Sequence, residues 1–149
     1  MTTTYDSNDP VPAGGNPTRT IWIAHPAGMV FALALALFLT VLPDDALSQT
    51  APKLGLYALA AALGPVTVAI LRFLADRLAL DRRRFVVIAS AGAVTFDGLF
   101  VGLWPDVYGH EGASLANVAA LILFGLAAIL VSDQLVSVNT LPRRKGNTA

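Results

Sequence analysis

Four long runs of apolar residues constrain this chain more than any other feature of its sequence. They extend over residues 21–42, 54–71, 85–104 and 114–132. The hydrocarbon core of a bilayer is about 30 Å thick, so a helix that crosses it needs about 20 mostly apolar residues. None of the runs alternates apolar and polar residues as the strands of a membrane barrel do. The sequence therefore predicts an all-α integral membrane protein, a four-helix bundle with short loops.

The composition and length fit this class. Charged residues make up 13% of the 149 residues and apolar residues 55%, whereas a soluble domain carries about 25% charged residues. There is no cysteine, which excludes disulfides, thiolate metal sites and iron–sulfur clusters. We expect one membrane domain over residues 20–135 and two tails, residues 1–19 and 136–149. The first tail is rich in Thr, Asp, Asn, Pro and Gly and is predicted to be disordered.

Basic residues are distributed unevenly between the two sides of the predicted bundle. Four spans place both termini and the middle loop on one side, and every basic residue except Lys53 falls there: Arg19, Arg72, Arg77, Arg82, Arg83, Arg84, Arg143, Arg144 and Lys145. Cytoplasmic loops carry an excess of Lys and Arg. Both termini, and hence both tails, are therefore predicted to be cytoplasmic.

The run Arg82, Arg83 and Arg84 in the middle loop forms a basic cluster at the membrane surface. Its simplest role is to anchor the helix ends to anionic lipid headgroups. A docking surface for a cytoplasmic partner is the other interpretation, and the sequence leaves both open.

Other residues indicate where the helices begin and end. Trp22 on the cytoplasmic side, and Trp104 with Tyr108 on the outer side, fit the belts of aromatic residues at membrane interfaces. Pro26 should lie in a first helical turn, where its missing N–H has no partner to lose. The segment Ala46-Leu47-Ser48 resembles a signal-peptidase site, so cleavage after the first span stays an alternative.

Asp97 is the one acidic residue deep inside a predicted span. It lies 12 residues after Phe85 and 7 before Trp104, about 18 Å and 10 Å along a helix. An acid near the bilayer centre costs about 2.5–3.5 kcal/mol and usually faces the bundle interior or water. Small residues share its face or line the first span, which predicts close helix packing: Ala89 and Ala93, and Gly28, Ala32 and Ala36.

The sequence offers Asp97 few polar neighbours. No Lys or Arg lies within a predicted span, and Asn117 in the fourth span, about one turn shallower, is the best candidate partner. Asp97 is then either a protonated group that joins helices by hydrogen bonds or a site for a proton or cation reached by water.

Several activities are excluded by missing residues. Neither histidine lies deep in a span, as a haem within a bundle requires, and no intramembrane lysine can form a retinal Schiff base. The basic residues are not interleaved with aromatic ones as in nucleic-acid-binding proteins. His110 with Asp106 and Glu111 could bind a metal, but such residues in a glycine-rich loop are more often solvated. We expect no cofactor, no metal and no nucleic-acid partner.

The four short-looped spans, the acid in the third span and the WPDVYG that follows resemble a family of small bacterial membrane proteins. These four-span proteins form a domain-of-unknown-function family, and the resemblance covers residues 85–135. It implies the fold but no activity. Small multidrug transporters share only the number of spans, because their essential acid lies in the first span, where this chain has none.

The sequence thus predicts a multi-pass protein of the bacterial inner membrane. It is expected to be non-enzymatic and to act as a membrane subunit or small oligomer, in contact with the lipid bilayer and either its own copies or a membrane protein partner. The alternative is a proton- or cation-coupled transporter or channel, with Asp97 as the coupling site and Asn117 in support.

Overall fold

A computed structural model describes residues 17–139, which form five α-helices and one 3₁₀ helix and contain no strand. The helices are α1 (Pro17–Thr40), α2 (Asp44–Ser48), α3 (Thr50–Arg77), α4 (Arg82–Leu103), the 3₁₀ helix (Pro105–Tyr108) and α5 (Gly112–Asn139). Four of them, α1, α3, α4 and α5, are long and apolar enough to cross a membrane. The prediction of an all-α four-helix membrane bundle is confirmed.

The long helices extend beyond the apolar runs at several ends. Residues 17–19, predicted as part of the first tail, belong to α1, and residues 136–139 of the second predicted tail belong to α5. The rest of both predicted tails lies outside the described residues. Pro26 lies nine residues after the start of α1, so the expectation that it occupies a first turn is wrong. Residues 17–20, which precede the apolar run, are also helical, so α1 begins four residues before that run.

The order of the elements gives the bundle two distinct ends. α1 and α4 run in one direction and α3 and α5 in the other. We call the end that holds α2 and the 3₁₀ helix the capped end, and the opposite end, with the turn between α3 and α4, the basic end. One buried apolar cluster lies toward the capped end and includes Leu39 and Phe96, and another lies toward the basic end and includes Ala75 and Phe85.

The helices pack mainly as two parallel pairs, α1 with α4 and α3 with α5. Gly28 and Gly92 bring the first pair into backbone contact, since a methyl group on Gly28 would collide with the carbonyl oxygen of Ala89, and one on Gly92 with that of His25. The small residues predicted to pack are buried: Gly28, Ala32, Ala36, Ala89 and Ala93. Small residues let membrane helices approach closely in this way.

The two pairs meet through α4, which contacts both α3 and α5. Within the described segment, α1 makes little contact with α3 or α5. The bundle is therefore incompletely closed along the α1–α3 side. At the basic end, Ala79 adopts a left-handed conformation (φ 53°) between α3 and α4, and Asp81 caps α4 by accepting the Arg84 backbone N–H at 2.7 Å.

Candidate functional site

Asp97 lies inside the bundle and is paired with Tyr108. The Tyr108 hydroxyl donates a hydrogen bond of 2.6 Å to Asp97 Oδ1, and both side chains are buried, with 0% and 8% of their surface exposed, respectively. Burial raises the pKa of the Tyr108 hydroxyl, and the bond to Asp97 raises it further, so the hydroxyl remains a donor at neutral pH. No other side chain among residues 17–139 hydrogen-bonds the Asp97 carboxyl.

The loop after α4 turns Tyr108 into the bundle. α4 ends at Leu103, and Pro105 starts the 3₁₀ helix, which Gly109 ends in a left-handed conformation (φ 68°). Glycine reaches this conformation at little steric cost. Gly109 packs against Thr40 at the end of α1. Tyr108 was expected in the interfacial aromatic belt; that expectation is wrong, because the turn points the ring inward to Asp97.

His110 fastens the same loop to α1 and α2. Its Nε2 lies 3.0 Å from the Leu39 carbonyl oxygen and its Nδ1 lies 2.9 Å from Asp44 Oδ1. A carbonyl only accepts hydrogen bonds, and so does an ionised carboxylate. Hydrogen bonds from His110 and then from Ser114 lower the pKa of Asp44, which favours the carboxylate. The doubly protonated ring is the form that donates to both acceptors.

The position of His110 corrects one expectation from the sequence. A solvated turn residue was expected, but the residue is 5% exposed. Its neighbours do not form a metal site: in the part of the chain that the structure describes, no three His, Cys, Asp or Glu side chains come together in that way. His110 instead joins α1, α2 and the start of α5 at the capped end.

An apolar groove of about 420 Å³ opens beside Asp97 on the α1–α3 side of the bundle. Asp97 and Thr67 are the polar residues along it, and all four long helices contribute to its lining. Phe38 of α1 and Leu63 of α3 line it and are about half exposed, so the groove opens on the apolar surface that faces lipid. Its volume lies in the range of about 300–1,000 Å³ that is usual for ligand sites.

A buried ion pair joins α3 and α5 near the basic end. The Arg72 guanidinium donates to Asp133 Oδ1 at 2.9 Å from Nε and 2.6 Å from Nη2, and Nη2 also donates to the Ser137 hydroxyl at 2.8 Å. Asp133 is 1% exposed, and its Oδ2 has no hydrogen-bond partner among the described residues. This pair holds together the two helices that line much of the groove.

The other predicted site residues are placed apart from Asp97. Asn117 is half-buried in α5, and within the described segment its side chain does not hydrogen-bond Asp97. Arg82, Arg83 and Arg84 are exposed at the basic end, where Arg82 forms an ion pair of 2.5 Å with Asp76. The structure therefore brings Asp97 together with Tyr108 and the groove.

Sequence reasoning missed Tyr108 as the partner of Asp97 and the pair of Arg72 with Asp133. The sequence does contain a signal for the pair of Arg72 with Asp133, since each of these residues directly follows a predicted span on the same side of the membrane. Opposite charges at equal depth on two helices of one bundle are candidates for pairing. The sequence does not show that α3 and α5 are neighbours in the bundle.

Comparison of the chain with protein-family models, curated proteins and solved structures found no match. The resemblance of residues 85–135 to small bacterial four-span proteins therefore stays a prediction.

Proposed function

We propose that this chain is a non-enzymatic subunit of a membrane protein complex, and that its groove receives a transmembrane helix of a partner protein. The observation that carries the proposal is the open α1–α3 side of the bundle, where an apolar groove lies beside a buried acid. We further propose that the membrane is the bacterial inner membrane and that the basic end, with both termini, faces the cytoplasm. The distribution of basic residues supports this orientation, and a composition with far more Arg than Lys supports a bacterial source.

A helix is a better occupant of this groove than lipid chains alone. Membrane helices associate through van der Waals packing and hydrogen bonds, because lipid tails are as apolar as the helix surface. Small residues such as Ala34 and Ala60 line the groove, which permits the close approach that such packing needs. The wall along α3 extends from Leu56 to Ile70, about 21 Å at 1.5 Å per residue, which is most of the thickness of a bilayer core.

A groove-filling variant tests the proposal. Ala60→Trp places a large ring in the groove, whereas Leu123→Trp places the same ring on an exposed face of α5 outside it. Native mass spectrometry of the complex extracted in mild detergent should show a further polypeptide with the wild type and with Leu123→Trp, and lose it with Ala60→Trp. Equal complexes in all three proteins, or a monomer in all three, would contradict the proposal.

A proton- or cation-coupled transporter is the second candidate, and Asp97 is the observation that favours it. A buried carboxyl with one neutral hydrogen-bond partner could exchange a proton, with Asn117 as a supporting polar residue. Against it, the groove beside Asp97 offers only Thr67 as a further polar side chain, which does not favour a water path. Proton flux in proteoliposomes that is lost in Asp97→Asn would support transport. No flux with either protein, at equal stability, would rule it out.

A further inference from the structure

We infer that the helix received by the groove carries a lysine or arginine that pairs with Asp97. This inference rests on the proposed function and specifies the chemistry of the partner. It makes the groove a site that selects one class of transmembrane helix rather than any apolar segment.

An ionised Asp97 would have no counter-charge among the residues that the structure describes. An ionised carboxylate without a cation is costly in a medium of low dielectric constant. The Tyr108 hydroxyl supplies one neutral hydrogen bond. Among residues 17–139, no Lys, Arg or His forms an ion pair with Asp97, and the one basic residue set inside a long helix, Arg72, is engaged by Asp133 and Ser137.

Residues 17–139 of a second copy of the chain do not place a basic residue at the depth of Asp97. Apart from Arg72, the basic residues of the described segment lie within about one turn of a helix end: Arg19, Lys53, Arg77, Arg82, Arg83 and Arg84. Asp97 lies six residues before the end of α4, about 9 Å below it. Because residues 17–139 hold no free cation at this depth, we assign the complementary cation to a different protein.

A basic residue on the partner would itself be costly in the bilayer unless it were paired. The long side chain of Lys or Arg can follow an apolar wall with its aliphatic part while its charged group reaches an acid. Asp97 lies on the groove lining, so such a group can approach the carboxyl from the groove. Each charge then removes the cost of the other.

Designed transmembrane peptides test the inference in vesicles of phosphatidylcholine that hold the full chain. One peptide is a Leu/Ala helix with a single Lys. This Lys lies six residues from the peptide terminus that is level with the capped end of the bundle. The second has Leu at that position, and the third has the Lys moved by two residues, to another face of the helix. Binding is measured by energy transfer between a dye on the chain and one on the peptide.

The first peptide should bind the wild type about tenfold more tightly than the other two. The preference should vanish in Asp97→Asn, which retains a hydrogen-bond acceptor for Tyr108, and persist in Thr67→Val, which alters the other polar residue of the groove. Ala60→Trp should weaken the binding of all three peptides.

The outcomes separate the two proposals. If Ala60→Trp blocks all peptides but the wild type shows no preference for Lys, the inference about charge is overturned and the groove remains a helix site. The same holds if the preference for Lys persists in Asp97→Asn. If no peptide binds, or if Ala60→Trp has no effect, the proposed function fails and the inference fails with it.

Discussion

The hydroxyl of Tyr108 and the carboxyl of Asp97 meet at 2.6 Å, although one belongs to the loop at the capped end and the other to a membrane-spanning helix. This contact connects the loop to the groove, because Asp97 lines the groove and His110, two residues after Tyr108, is bound to α1 and α2. A change in the loop can thus alter the position of the acid.

Tyr108→Phe should destabilise the fold by about 1–3 kcal/mol, because it leaves a buried acceptor of Asp97 without a partner. Combining it with Asp97→Leu, which makes both groups apolar, should recover part of that loss. The free energy of unfolding in mixed detergent micelles measures both effects. A Tyr108→Phe protein as stable as the wild type would show that the hydrogen bond contributes little.

The contact between His110 and Asp44 should make stability depend on pH in the acidic range. The pKa of Asp44 is lowered in the folded chain, so the stability that its carboxylate contributes is present above the ordinary value of 3.8 and is lost as pH falls through the lowered one.

Melting temperatures across a pH series check this dependence. His110→Gln should be less stable than the wild type at neutral pH and should show a smaller decline in the acidic range, because the hydrogen bond from His110 is the main cause of the lowered pKa of Asp44. Glu111→Gln, a change at the exposed neighbour, serves as the control and should keep the profile of the wild type. A decline that persists unchanged in His110→Gln would assign it to another group.

Gly28→Ala should separate α1 from α4, since its methyl group meets the Ala89 carbonyl oxygen. Overpacking of this kind costs about 1–3 kcal/mol. Gly98→Ala is the matched control, because an added methyl group there has no neighbour within 4 Å. This substitution also removes the cost of a glycine in a helix, up to about 1 kcal/mol. Equal stability of the two variants, measured by unfolding in micelles, would contradict the backbone contact.

Arg72→Leu should be strongly destabilising, by about 3–5 kcal/mol, because it leaves the buried Asp133 carboxylate without its cation. Replacing both residues by leucine should restore most of the loss. Arg82→Met breaks an exposed pair, with 61% and 45% of the two side chains accessible, and should change stability little. If Arg72→Leu and Arg82→Met proved equally mild in unfolding experiments, the Arg72 pair would not hold α3 to α5.

The sequence predicts the four helices well because apolar length alone determines which segments can cross a bilayer. It also predicts that Asp97 lies inside the bundle and that Gly28 and Ala89 lie on packed faces, since small residues and a buried acid point inward for physical reasons. Helix bounds are predicted less well, because polar residues such as Arg19 extend a helix beyond its apolar run.

The partner of Asp97 and the groove depend on relations that hydropathy does not contain. Tyr108 reaches Asp97 only because Pro105 and Gly109 turn the loop inward, and the sequence alone equally allows an interfacial tyrosine. The groove exists because α1 pairs with α4 and leaves α3 aside. The packing of whole helix faces decides which helices are neighbours, and each single residue contributes little to that packing.

Photocrosslinking in living cells identifies what occupies the groove. A photoreactive amino acid at Leu63, on the groove wall, is compared with one at Leu123, on an exposed face of α5 that does not line the groove. We expect the residue at Leu63 to crosslink to a transmembrane segment of one other protein, at a position near a Lys or Arg of that segment. The residue at Leu123 should give no such product. Crosslinks from Leu63 to lipid alone, or the same products from both positions, would contradict this expectation.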